Sequence, residues 1–186
     1  MLRDEIVKLI TELGYVQELK QSFCFPDKKS KKIILKELND LSKKYGSKNV
    51  AKEAFNIDKE DSYLTYILTL AGNKDTEKYL NLLAKDLSPQ PPKGEAKEAD
   101  FFINIALSFI ILDIKEGFVM IEDLLNGRYI SKDEIYVEDI YVSLLEIINK
   151  HKRVKKILED IESGLYSDTS FVISYKEEKI WSEKNN

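Results

Sequence analysis

The chain has 186 residues, of which 43% are hydrophobic and 33% are charged, and it contains seven Gly and four Pro. This composition is too apolar for a disordered chain, its few helix breakers favour an all-α fold, and a single cysteine excludes an intramolecular disulfide. The formal charge is −4, divided into +3 for residues 1–93 (17 Lys and Arg against 14 Asp and Glu) and −7 for residues 94–186 (12 against 19). The chain as a whole therefore lacks a basic nucleic-acid footprint, and its second half would attract a basic partner.

The first 57 residues carry helical patterns. Apolar residues at helical spacing predict a helix over Leu2 to Leu13 and a short one over Val16 to Ser22. Ser30 is expected to cap a long helix that ends at Gly46, and Ser47 to open a short helix after it.

Two features of this region have a plain structural interpretation. The basic run Lys28–Lys32 is interpreted as a solvated turn at the entrance of the long helix. Cys24, which lies between two phenylalanines, is expected to be a small buried hydrophobic residue.

From residue 59 the apolar pattern becomes regular and predicts three helical hairpins. A linker with three prolines, residues 88–94, follows the first hairpin, and Gly117 is expected to break the helix that comes next. That helix is apolar nearly all round and is predicted to be the most buried. The six predicted helices cover residues 61–71, 74–87, 96–114, 118–126, 134–149 and 153–163.

The second helices of these hairpins share a pattern: an aromatic residue or Val is followed, several residues on, by paired Leu or Ile. Their anchors Leu83, Leu125 and Ile161 are 42 and 36 residues apart. Two-helix units of roughly 35–45 residues are typical of α-solenoids. Residues 59–164 thus resemble HEAT-like or armadillo-like helical repeat proteins, which implies stacked hairpins that bind other macromolecules along one face. An irregular helical bundle is the alternative architecture.

We expect one domain over residues 1–186, with N-terminal helices at 1–57, hairpins at 59–164 and a C-terminal cap or tail at 165–186. Residues 169–175 have a strand-like composition and are expected to cover the last hairpin. The longest apolar run, Phe101 to Leu112, has 12 residues, whereas a membrane span needs about 20. The start of the chain lacks the order of a secretion signal, which predicts a cytoplasmic protein.

No motif of a catalytic, metal or cofactor site is recognisable. His151 is the only histidine and is interpreted as a cationic residue near a helix C-terminus. One Cys and one His cannot supply a zinc site, and no calcium loop or glycine-rich phosphate loop is present in the sequence. We therefore expect a non-catalytic protein without metal or cofactor.

The best candidate for a partner-binding site is a stretch of carboxylates with interleaved tyrosines. Tyrosines are enriched at interface hot spots, and surrounding carboxylates would select a basic protein. The alternative is that these tyrosines, together with Tyr141, cover the rim of the core. The predicted site residues are Glu122, Asp123, Tyr129, Asp133, Glu134, Tyr136, Glu138 and Asp139.

These observations favour a macromolecule-binding protein, and specifically a bacterial immunity protein that neutralises a basic toxin through an acidic surface. One alternative is a nucleic-acid-associated helical repeat protein that uses Lys28–Lys32. A second alternative is an enzyme whose site is assembled from scattered carboxylates.

Overall fold

The computed structural model describes residues 1–12, 28–58, 62–85, 99–127, 137–166, 169, 171, 172 and 176. Throughout these residues the regular structure is helical and no strand is found, which confirms the predicted all-α class. The predicted helix over residues 16–22, Cys24 and the proline linker at 88–94 lie outside the described residues.

The described residues contain nine α-helices, and a short 3₁₀ turn, Lys74–Thr76, precedes the fifth. The helices are α1 (Leu2–Glu12), α2 (Lys28–Tyr45), α3 (Ser47–Ile57), α4 (Tyr63–Leu70), α5 (Glu77–Lys85), α6 (Ala99–Ile111), α7 (Glu116–Leu125), α8 (Val137–Glu146) and α9 (Lys152–Glu162). The segments predicted as three hairpins contain α4 and α5, α6 and α7, and α8 and α9; α6 packs against α7 and α8 against α9, whereas α4 and α5 make few direct contacts with each other.

Helix α6 is the centre of the core. Every residue from 101 to 110 is buried, including the polar Asn104 and Ser108. The helix packs against α4, α5, α7 and α8, so apolar side chains are needed on all its sides. Among the described helices it is the most buried, as predicted.

Four helices, α2, α4, α6 and α8, lie in a row, and adjacent helices of this row run in the same direction. The Ser62 hydroxyl, at the start of α4, donates to the Phe101 carbonyl at the start of α6 over 3.1 Å. These helices also pack against each other, as do α2 with α4 and α6 with α8. Because α4 and α6 begin side by side and pack together, they are parallel, and their C-terminal ends lie at the same end of the molecule.

Contacts between turns extend this arrangement to four hairpins, including α2 with α3. Asn73 Nδ2 donates to the Ser47 carbonyl over 2.9 Å, and the Ser47 hydroxyl donates to Asp75, which places the α2–α3 turn beside the α4–α5 turn. His151 Nε2 lies 3.6 Å from Asp113 Oδ1, which places the α8–α9 turn beside the α6–α7 turn.

The molecule therefore has two opposite edges. We call the four turns, each with the two helical residues on either side, the turn edge; it consists of residues 44–48, 69–78, 110–117 and 145–153. The opposite end is the connection edge, where α3, α5, α7 and α9 end and where α4, α6 and α8 begin.

Gly117 does not break a helix, contrary to the sequence prediction. The reversal between α6 and α7 occurs at Asp113, which adopts a left-handed φ of 62°, and Gly117 lies inside α7. A Cβ at Gly117 would lie 2.6 Å from the Ala106 carbonyl oxygen and 2.8 Å from the Ile110 nitrogen. The glycine is therefore required for the close approach of α7 to α6.

The start of α2 also differs from the prediction. The helix begins at Lys28, so Ser30 lies within it and is not its N-cap. The basic run Lys28–Lys32 accordingly forms the first turn and a half of a helix and is not a solvated turn.

Candidate partner-binding edge

Four of the eight predicted site residues belong to the described part of the chain. Tyr129, Asp133, Glu134 and Tyr136 lie outside it. Glu122 and Asp123 lie in the second half of α7, and Glu138 and Asp139 lie in the first turn of α8. Because α8 begins at the connection edge, Glu138 and Asp139 lie there, whereas Glu122, further back along α7, reaches Arg153 of the turn edge.

Glu122 is held by a cation from the neighbouring helix. Its carboxylate accepts a hydrogen bond from Arg153 at 2.5 Å, and the Arg153 guanidinium lies 4.9 Å from the centre of the Phe118 ring. This ion pair joins α7 to α9, where it is partly exposed to water. Glu122 is therefore largely neutralised within the chain and offers less charge to a partner than the sequence predicts.

Glu138 and Asp139 are not neutralised in this way. Neither carboxylate forms an ion pair or a hydrogen bond with any described residue. Glu138 is exposed, whereas Asp139 is half-buried. Burial, and secondarily the adjacent Glu138 carboxylate, raises the pKa of Asp139 to about 6. At neutral pH the start of α8 therefore holds two charged carboxylates, one of them partly removed from water.

Tyr141, one of the interleaved tyrosines, is a core residue. Only 1% of it is exposed, and its hydroxyl donates to Glu162 Oε1 over 2.7 Å. Its ring meets Phe171 edge-on with centroids 5.7 Å apart, and Val172 beside Phe171 is buried. Phe171 and Val172 are helical, so at these residues the strand-like composition is not realised.

Two further residues at the connection edge were not predicted from the sequence. Leu165, just after α9, is 64% exposed, the largest exposed fraction of any described apolar side chain apart from Met1. Tyr166 is half-buried; burial, followed by the charges of Asp160 and Glu122, raises its pKa. The irregular turn that places Leu165 and Tyr166 there leaves no periodic signal in the sequence.

His151 has a different role from the one predicted. It is the N-cap of α9: its Nδ1 accepts a hydrogen bond from the Arg153 amide over 3.0 Å. The accepting nitrogen must carry a lone pair, so the neutral imidazole performs this role. The interpretation as a cation at the end of the preceding helix was therefore wrong. The ring also contacts Phe118, with centroids 4.7 Å apart.

No helix in the described ranges is both long and apolar enough to cross a membrane. Within those ranges no three His, Cys, Asp or Glu side chains converge as ligands for a metal ion. The chain matches no protein-family model, no curated protein and no solved structure.

Proposed function

We propose that this protein binds a basic protein at its connection edge, and that it acts as a bacterial immunity protein that neutralises a basic toxin. The observation that carries the proposal is the pair Glu138 and Asp139, which has no cationic partner among the described residues. A lysine or arginine from a partner would supply the missing cation.

The unfavourable free energy of placing Glu138 next to the half-buried Asp139 supports a binding role. A half-buried carboxylate next to a second carboxylate destabilises the folded chain at neutral pH. Proteins commonly keep such unfavourable groups where function requires them. A bound cation would lower the pKa of Asp139 and recover the lost free energy on binding.

Apolar surface at the same edge supports a protein as the partner. Protein interfaces combine charge complementarity with buried apolar anchors. Leu165 is exposed at this edge, close to Tyr166, and Leu82 near the end of α5 is 42% exposed. The edge thus offers both components.

The test is a calorimetric titration of the purified chain with the basic proteins encoded next to its gene. We expect one of them to bind, and the paired variant Glu138→Gln with Asp139→Asn to weaken that binding by at least tenfold, on the order of 1.4 kcal/mol. Because Asp139 must release its proton to pair with a cation, binding should strengthen as the pH rises from 5 to 7.

A matched control removes the same charge from the other edge. Glu77 and Glu116 are exposed acids of the turn edge, so Glu77→Gln with Glu116→Gln should leave the affinity unchanged. Absence of binding by every basic neighbour, or equal weakening by both pairs of substitutions, would reject the proposal.

A further inference from the structure

The turn edge has the opposite charge to the chain as a whole. It carries eight Lys and Arg against five Asp and Glu, a net charge of +3, whereas the remaining residues carry 21 against 28, a net charge of −7. Two of the eight cations, Lys44 and Arg153, pair with Glu5 and Glu122 from outside the edge, and when these two acids are counted the local net charge is +1. The sequence shows a basic half and an acidic half, but only the fold collects positive charge at one edge. At physiological salt, charges more than about 8 Å away are screened, so a ligand at this edge responds to the local charge.

Each of the four turns contributes at least one exposed lysine to this edge. None of these side chains forms an ion pair with a described residue, whereas Lys43, Lys44 and Lys176 pair with Asp40, Glu5 and Glu162. Packed helices lie about 8–10 Å apart, so we expect the lysines of adjacent turns to follow one another along the edge at a comparable spacing. They are Lys48, Lys74, Lys115, Lys150 and Lys152.

Three of the five acidic side chains at the same edge already have a polar neighbour within the chain. Asp75 accepts the hydroxyl of Ser47, Asp113 lies beside His151, and Glu146 accepts the hydroxyl of Tyr66 over 3.2 Å. Glu77 and Glu116 remain exposed and oppose an anion.

We propose that the turn edge binds the phosphate backbone of a single-stranded nucleic acid. A row of separate, mobile ammonium groups suits a linear polyanion that is contacted through its charge alone. The same row does not suit a protein partner, because lysine is depleted in protein interfaces and none of the large exposed apolar side chains of the described residues lies in the turn edge. This site is separate from the connection edge and from Lys28–Lys32.

The test measures the fluorescence anisotropy of a labelled 20-nucleotide uridine RNA titrated with the full chain. At 50 mM NaCl we expect a Kd on the order of 10⁻⁵ M, in the range of non-specific binding. With about five phosphate contacts on a single strand, a rise to 200 mM NaCl should weaken binding by about 100-fold.

Two triple variants separate the edge from the overall charge. Replacing the edge lysines Lys74, Lys115 and Lys152 by Gln should weaken binding at least tenfold and make it less sensitive to salt. The exposed lysines Lys32, Lys52 and Lys85 lie off the turn edge, and their replacement by Gln makes the same change in net charge with little effect on binding.

Three outcomes would overturn the proposal. The first is no anisotropy change at 50 mM NaCl, and the second is equal weakening by both triple variants. The third is binding of polyglutamate as tight as that of the RNA, which would assign the edge to an acidic protein. The proposed immunity function would survive any of these results, because it depends on Glu138 and Asp139.

Discussion

At the residue scale, His151 shows how one side chain can hold two hairpins together. Its Nδ1 caps α9, its Nε2 faces Asp113 in the adjacent turn, and its ring lies against Phe118. Replacing it by Ala removes the acceptor for the Arg153 amide and should lower the free energy of unfolding by about 1 kcal/mol. Asn can accept the same hydrogen bond, so His151→Asn should recover most of that loss. Urea unfolding measures both variants; equal destabilisation by Ala and Asn would argue against a capping role.

Asp139 should make stability depend on pH in a defined direction. Its pKa is about 6 in the folded chain against an ordinary value of 3.8, so between pH 4 and 6 the folded state holds a proton that the unfolded state has lost. The contribution of Asp139 to stability therefore falls as the pH rises through this window, and the full penalty is present above pH 6.

The substitution Asp139→Asn removes this penalty. With allowance for screening by water at a half-buried site, we expect it to raise the free energy of unfolding at pH 7.5 by about 1 kcal/mol. The gain should shrink toward zero as the pH is lowered to 4, and Glu138→Gln, at an exposed position, should have a smaller effect. A gain that is the same at both pH values would show that the carboxylate charge is not the cause.

At the element scale, the contact between α6 and α7 depends on the absence of a side chain at Gly117. The substitution Gly117→Ala would place a Cβ against backbone atoms of Ala106 and Ile110, which cannot turn aside as a side chain could. Alanine gains about 1 kcal/mol over glycine in a helix, but the overpacking should outweigh it and give a net destabilisation of about 1–3 kcal/mol.

Thermal or urea unfolding of Gly117→Ala tests this expectation. Glu116→Ala, at the neighbouring exposed position of the same helix, is the control and should change stability by no more than about 0.5 kcal/mol. A Gly117→Ala protein as stable as the parent would mean that the two helices are further apart than described.

The helices themselves were predictable because their apolar residues repeat at helical spacing. Leu83, Leu125 and Ile161, chosen as anchors of the second helices, are all buried. The failures concern residues whose role is set by a neighbouring helix. A glycine is needed at position 117 because a Cβ there would collide with backbone atoms of Ala106 and Ile110. No local sequence pattern distinguishes such a glycine from one that breaks a helix.

Only part of the candidate site could be predicted, again because several of its contacts come from other helices. The clustering of acids along the sequence identified Glu138 and Asp139, but Arg153, which neutralises Glu122, comes from a helix 31 residues further on. The environment of His151 likewise depends on Asp113 and Phe118, which belong to another hairpin. Exposure of Leu165 depends on how the chain leaves α9, which periodicity does not specify.

At the scale of the whole molecule, the parallel row of α2, α4, α6 and α8 is what separates the charges. It collects the lysines of four turns at one edge and brings the start of α8 and the end of α7 to the other. The sequence alone divides the charge into halves of the chain, and this division does not correspond to the two edges. Both proposals depend on this arrangement, since an antiparallel packing of α4 and α6 would mix the edges.

The most direct test of this arrangement is a pair of distances between nitroxide spin labels measured by double electron–electron resonance. Cysteines replace Lys74 and Lys115, both at the turn edge, or Lys85 and Lys115, at opposite edges, in a chain where Cys24 is replaced by Ser. Because residues 74 and 85 are about 16 Å apart along the helix direction, the 74–115 distance should be clearly shorter than the 85–115 distance. The reverse order would contradict the parallel row, and with it the separation of an acidic edge from a basic one.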